Sequence, residues 1–302
     1  MSMLVLGSIA LDTIETEKGT AAECLGGSAT HAALAASYFT RPSLVGVVGD
    51  DFPDEHRTFL AKRIDVSELT TLPGRTFRWH GFHSLVSGET TTKSTELNTY
   101  EQFKPDLSAK SRAASHVLLG NIDPHLQLHV LDQLDSPALV ACDTMSLWID
   151  LFPEKVIEVM RRADLFFINE QESYELTGAD NVEEAGKALL AQGAKRAIIK
   201  CGAKPSRLFS VEGGAVVPTV PDVELTDPTG AGDNFAGALV GYMECRGATV
   251  EDTNALVHGM HLGSATASYA IEAFGTGAHR HLTQEDIERR LASLTLSSRR
   301  IG

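Results

Sequence analysis

"LTDPTGAGDNFAGAL", residues 225–239, sets Gly230, Ala231 and Gly232 directly before Asp233 and then breaks into an apolar helical pattern. Phe235, Ala238, Leu239, Tyr242 and Met243 recur at three- and four-residue spacing and Gly247 follows, which predicts a helix starting near residue 232. The small residues then form its first turn, where unpaired N–H groups and the positive end of the helix dipole make an anion site. A carboxylate beside an anion is repulsive if binding is its only task. Asp233 makes sense as a base, taking the proton of a hydroxyl held between it and a phosphate. On Gly-x-Gly-Asp alone, an aspartate that merely complements the helix dipole after a tight turn is the favoured reading.

Upstream, short apolar runs alternate with helical patterns, which favours an α/β fold with a mostly parallel sheet. The runs are residues 4–12, 43–51, 116–123, 138–144, 164–169 and 196–202, and all six end in Gly, Asp, Asn or Thr. Ligands of open α/β sheets bind beyond such carboxyl ends. Between them the spacing predicts helices over 28–39, 54–63, 153–163, 169–178 and 181–193, and a charged terminal helix beyond about 283. Residues 76–103, rich in Thr and aromatics with a Ser-Gly turn at 87–88, read as an inserted β-hairpin. Residues 74–103, with part of 12–24, are thus either a small lid or an edge hairpin with no role. No repeat or linker interrupts the chain, so residues 1–302 read as a single domain.

Composition narrows the function. With 26 Lys and Arg against 40 Asp and Glu the formal charge is −14, and no basic stripe interrupts it, which argues against nucleic acid and anionic membranes as partners. No apolar run approaches the roughly 18 residues of a membrane helix. "MSMLVLGSIALD" lacks the basic start and cleavage site of a signal peptide and reads as a first strand, so a cytoplasmic location is expected. Cys24, Cys142, Cys201 and Cys245 are scattered, without CxxC pairs, and are expected to be buried free thiols.

The whole string "DPTGAGDNFAGAL" resembles the C-terminal signature of the ribokinase-like (PfkB) carbohydrate kinases. The resemblance implies a three-layer α/β/α sandwich with an inserted β lid, and transfer of the γ-phosphate of ATP to a hydroxyl of a sugar-like acceptor. Asp233 would be the base, and Gly230, Ala231 and Gly232 the anion hole. "GSIALD" and "LGGSATHAALAAS" match the acceptor-binding landmarks, so Asp12, Gly26, Gly27, Ser28 and His31 are implied for the substrate, with Asn98 added from the lid segment. "FFINEQESYELTG" matches an Asn-x-x-Glu element and implies Asn169 and Glu172 for Mg²⁺, mostly through water. A spacing of three sets the two on one helical face. Lys200, Gly202 and Thr229 join Asn169, Gly230 and Gly232 in the implied nucleotide site, and residues 256–278 resemble the part that covers adenine. A monovalent cation and a homodimer through the lid are further implications.

Two positions depart from the family pattern. His31 stands where the family has Asn, which puts the identity of the acceptor in question, because imidazole is bulkier and titrates near neutral pH. Pro205 replaces a Gly in the loop after Gly202 and removes an N–H. The runner-up acceptor is a nucleoside, for which Phe77, Trp79 and Phe82 offer stacking faces. A dinucleotide oxidoreductase would need Gly-x-Gly-x-x-Gly after the first strand, and "GSIALD" does not supply it. A non-catalytic ligand-binding regulator would gain nothing from Asp233.

Overall fold

Alternation of buried side chains decides the layers. In the computed structural model, which describes residues 2–298 and their side chains through residue 294, strand β1 (Met3–Leu6) is buried throughout. Met3 and Val5 enter one hydrophobic core, Leu4 and Leu6 a second core on the opposite face. A strand apolar on both faces needs helices on both sides, as parallel sheets do. The remaining strands are β2 (Ala10–Thr16), β3 (Gly19–Gly26), β4 (Ser43–Gly49), β5 (Leu69–Leu72), β6 (Phe77–His83), β7 (Thr90–Glu96), β8 (His116–Leu119), β9 (Leu139–Cys142), β10 (Leu165–Asn169), β11 (Arg196–Lys200), β12 (Ser206–Ser210) and β13 (Gly213–Val217).

The central sheet runs β13-β12-β11-β10-β9-β8-β1-β4-β5. It is parallel from β11 to β5, and only β12 and β13 pair antiparallel. Helices cover both faces, giving the α/β/α sandwich that the sequence leads one to expect. The five upstream helices form at Ser28–Ala36, Asp54–Ala61, Pro153–Arg162, Glu170–Thr177 and Val182–Ala191, and the terminal one at Gln284–Ser298. No helix among the described residues is long and apolar enough to cross a membrane.

Close helix packing places the motif. In helix Ala231–Arg246, a Cβ on Gly237 would lie 2.1 Å from the Ala32 carbonyl oxygen, and one on Gly241 would lie 2.8 Å from the Ala36 Cα. The glycines four apart thus receive the alanines four apart of helix Ser28–Ala36. The two segments singled out in the sequence, 25–37 and 225–239, are thereby pressed against each other.

Three expectations change. The run at 4–12 is two strands: at Gly7 the chain passes so close to helix Ser28–Ala36 that a Cβ would lie 2.6 Å from Ser28 Oγ. Beyond that crossing β2 opens a second sheet of order β3-β2-β6-β7, so Asp12 lies there and not at the end of a central strand. Asp123 does not end a strand either; its carboxylate caps helix Pro124–Leu131 by accepting the His125 N–H. Cys142 and Cys201 are buried and Cys24 is half-buried, but Cys245 is exposed among the last residues of its helix, beside exposed Arg246.

Candidate active site

The turn at the head of helix Ala231–Arg246 is shaped by what packs on either side of it. Gly230, with φ 72° and ψ 5°, is its left-handed N-cap. Any Cβ there would also lie 2.4 Å from the His31 ring, and a Cβ on Gly232 would lie 2.8 Å from Lys200 Nζ. A first helical turn lacks preceding carbonyls for most of its N–H groups: that of Ala231 reaches the Pro228 carbonyl at 3.2 Å, while those of Gly232 and Asp233 have no backbone partner.

Asp233 is half-buried beside this turn. Loss of hydration pushes its carboxyl up to about 8; the negative charge of Asp143 adds to this, and Lys200 opposes it. Lys200 ends β11 beside Asn169, its register partner at the end of β10, and its ammonium lies 2.5 Å from Asp143, just past the end of β9. Glu172 is buried, and desolvation pushes it up to about 7 against the pull of Lys200. Asn169 and Glu172 are held by each other. The Asn169 side chain accepts the Glu172 N–H at 2.8 Å, and the Glu172 carboxylate accepts the Asn169 N–H at 2.9 Å. Their spacing is that of a capping box rather than of one helical face, because Asn169 is the N-cap and not a helical residue. Gly202 follows on an exposed loop with φ 60°, and Lys204, next to Pro205, pairs with Glu170 at 3.0 Å.

The second sheet closes over the other side. Asp12 on β2 is buried and pushed up to about 7 by desolvation, while the Gly27 and Trp79 N–H groups bond to it and oppose the rise. Gly26 must lack a side chain there, since a Cβ would sit 1.9 Å from Asp12 Oδ2. Gly27 N-caps helix Ser28–Ala36, and buried Ser28 bonds to Ser8 and to the Asn121 carbonyl. On β6, residues 77, 79, 81 and 83 share one face, and Trp79 is in register with Asp12. His83 reaches the anion turn from that face, with Nε2 2.9 Å from Thr229 Oγ1 and Nδ1 2.7 Å from Thr90 Oγ1. Phe82 points to the opposite face and Phe77 packs on Tyr100, so of the three aromatics only Trp79 lies next to Asp12 without another aromatic partner from outside β6. Asn98 stands apart: its amide donates to the Thr76 carbonyl at the base of β6.

A family model described as pfkB family carbohydrate kinase matches residues 2–281. The chain belongs to that family. It is 30% identical over 263 residues to a cytidine kinase of Thermococcus kodakarensis, covering 82% of this chain and 90% of that protein. Among solved structures, nucleoside kinase of Burkholderia thailandensis in complex with inosine superposes with a TM-score of 0.80 at 18% identity, over 97% of this chain and 98% of that one. Aminoimidazole riboside kinase from Salmonella enterica, complexed with aminoimidazole riboside and an ATP analog, gives 0.74 at 19%, over 96% and 100%. The fold is therefore ribokinase-like. The protein is a phosphotransferase acting on a hydroxyl, a sugar or nucleoside kinase of the PfkB family.

Several residues of this PfkB kinase that crowd the site escape a reading by motif. Asp227, the first letter of "DPTGAGD", is buried; its carboxylate accepts the Thr229 N–H and the Gly275 N–H, both at 2.8 Å, and so ties the anion turn to the loop after helix Thr253–Ala270. Asp143 carried the signal of a strand ending in an acidic residue. His83, Asn234 and His279 carried none, because their neighbours are far away in sequence.

Proposed function

We propose that this kinase transfers the γ-phosphoryl group of ATP to a hydroxyl of a nucleoside, with Asp233 as the base and the Gly230-Ala231-Gly232 turn as the anion hole. The observation that carries the chemistry is a carboxyl raised to about 8 in the first turn of a helix, beside the Gly232 and Asp233 N–H groups that have no carbonyl partner in that turn. A base tuned near the working pH accepts a proton without being saturated by it. The N–H groups of Gly232 and Asp233 would stabilise charge on the transferred group, and Lys200, steadied by Asp143, adds a fixed positive charge.

The acceptor would lie between Asp12 and Asp233 under the second sheet, which acts as the lid. A nucleoside is favoured over a free sugar by the similarity to a cytidine kinase and by Trp79, whose ring faces the Asp12 side and offers a stacking surface. The tie from His83 to Thr229 would hold this sheet over the site and exclude water.

The donor set fits Mg²⁺ bound largely through water. Asp12, Glu172 and Asp233 are all pushed up, Asp143 adds charge, and Lys200 is the ammonium that opposes this in the cluster. Such a recess favours an added cation, yet among the described residues no group of three or more His, Cys, Asp or Glu converges on one point. Mg²⁺ keeps several waters and binds through few protein oxygens plus phosphate. Asn169 and Glu172 would orient its water, and the ion would offset charge on the phosphates.

Strand β7, exposed along its length at the edge of the second sheet, is the surface through which a second copy would pair. Asp233→Asn tests the core of the proposal. Phosphoryl transfer should fall by about 10²–10⁴ while ATP binding by calorimetry persists. A panel of nucleosides, pentoses and hexoses should show the highest kcat/KM for a nucleoside; near-normal turnover by the Asn variant would sink the mechanism.

A further inference from the structure

Four buried polar side chains run in line from the far side of helix Ser28–Ala36 to the anion turn. Tyr38 Oη lies 2.9 Å from His279 Nδ1, His279 Nε2 lies 2.8 Å from Asn234 Oδ1, and Asn234 Nδ2 lies 3.3 Å from His31 Nδ1. Asn234 sits behind the turn and is fully buried, while His279 and His31 are each 1% exposed.

The direction of every bond follows from one backbone carbonyl. Asn234 Nδ2 is also 2.8 Å from the Gly230 carbonyl oxygen, which can only accept. The amide nitrogen is therefore on that side, and its oxygen faces His279. His279 must then carry its proton on Nε2, which leaves Nδ1 to accept from the Tyr38 hydroxyl. The second hydrogen of the Asn234 amide points to His31, so His31 Nδ1 accepts and its proton resides on Nε2. Both imidazoles are kept neutral by burial, which holds them well below the usual histidine range, at about 4 for His31 and about 3 for His279. The Arg63 guanidinium, 5.0 Å from the Tyr38 ring centre, stands at the head of the line. Aligned bonds of this kind polarise one another.

The line ends on a group with nothing to bond. His31 Nε2 is buried and has no protein partner, and a buried donor left unpaired is destabilising. Its ring lies against Gly230, in the segment that also supplies Gly26, Gly27 and Ser28. We infer that Tyr38, His279 and Asn234 lock His31 as a donor-only imidazole that gives its Nε2 proton in a hydrogen bond to an oxygen of the acceptor molecule. An asparagine here could turn either its oxygen or its nitrogen to the ligand; this histidine can only donate. Tyr38, His279 and Asn234 are positioning residues that act through His31. The inference rests on the acceptor lying beside the anion turn, as proposed above.

Two measurements test it. The first needs neither variant nor substrate: ¹⁵N-histidine spectra of the ligand-free protein at pH 7 should show His31 neutral with its proton on Nε2. A proton on Nδ1, or on both nitrogens, overturns the inference. The second is kinetic. His279→Leu frees the Asn234 amide from its donor, and the acceptor KM should rise at least tenfold with kcat within twofold and the ATP KM unchanged. His279→Gln, whose amide can again donate to Asn234 Oδ1, should restore the acceptor KM to within about threefold. An unchanged acceptor KM in the folded Leu variant, a loss in kcat alone, or no recovery in the Gln variant contradicts it. Should the Leu variant not fold, Tyr38→Phe removes one hydroxyl from the line and should raise the acceptor KM in the same sense; an unchanged value contradicts the inference. Failure of the base assignment looks different, because Asp233→Asn would then turn over normally while the His31 spectrum stayed as expected.

Discussion

His83 Nε2, on the second sheet, lies 2.9 Å from the hydroxyl of Thr229, the residue before Gly230 of the anion turn. The second sheet thus directly touches the turn proposed to hold phosphate, and Thr90 fixes the imidazole from behind at 2.7 Å. A single hydrogen bond of this kind contributes roughly 1 kcal/mol, or about fivefold in an equilibrium. His83→Ala should therefore raise the acceptor KM about fivefold and increase acceptor-independent ATP hydrolysis relative to transfer. Parallel assays of ADP release and product formation read both; an unchanged ratio means that the contact does not govern closure.

The two glycines of the turn should fail in different ways. Gly230 is left-handed and faces the His31 ring, so Gly230→Ala combines backbone strain of about 1–2 kcal/mol with a clash and should lower Tm by several degrees. At Gly232 the obstacle is the ammonium tip of Lys200 and not backbone, and the backbone itself is not left-handed. Gly232→Ala should lower Tm less than Gly230→Ala yet lower kcat about tenfold or more, because Lys200 is pushed from its place beside buried Asp143. Thermal unfolding and steady-state rates on both variants separate the two cases.

What the sequence revealed and what it hid divide along the range of the interactions. The turn, Asp233 and the helix behind it were legible because "GAGDNFAGAL" carries both the spacing of the helix and the chemistry of its first turn within a few residues. The layered sheet was legible for a similar reason, since strands buried on both faces read as unbroken apolar runs. Asp12 was read as the end of a central strand, and that strand was misassigned: the switch of sheets at Gly7 depends on helix Ser28–Ala36 passing at 2.6 Å, a contact that no local pattern records. The spacing of Asn169 and Glu172 was visible, but the capping box that explains it competes with the metal-related reading of the same two letters. Asn234, His279 and Tyr38 were invisible, since they are joined across 45 and 241 positions of the chain.

With Asp233 as the proposed base, its raised carboxyl should set the pH dependence of catalysis. A base must be ionised to accept a proton, and this one stands at about 8 in the ligand-free enzyme, so kcat/KM should rise with pH and level off above about 8. Lys200 lowers that value by its charge. Lys200→Met should therefore move the acidic limb to higher pH, in addition to lowering the plateau. Asp233→Asn should abolish the limb. A limb that stayed in place in the Met variant would assign the ionisation to another group of the cluster.

The same carboxyls should make the ligand-free protein less stable as pH rises. Asp12 and Glu172 stand at about 7 and Asp233 at about 8 when folded, against 3.8 for a free Asp and 4.5 for a free Glu. Between those values the folded state binds more protons than the unfolded one, so stability is highest below the unfolded values and is lost as pH rises through the folded ones. His31 and His279 act in the opposite sense, but only below about 6.5, where the unfolded imidazoles charge. From pH 7 to 8.5 the carboxyls act alone among these groups, and stability should fall by on the order of 1 kcal/mol, or about 2–4 °C in Tm. Asp12→Asn and Asp233→Asn should each flatten this slope, and Mg²⁺ with nucleotide should reverse it by favouring the ionised carboxylates. A Tm that rises between pH 7 and 8.5 without ligand would show that these carboxyls are already ionised in the folded enzyme.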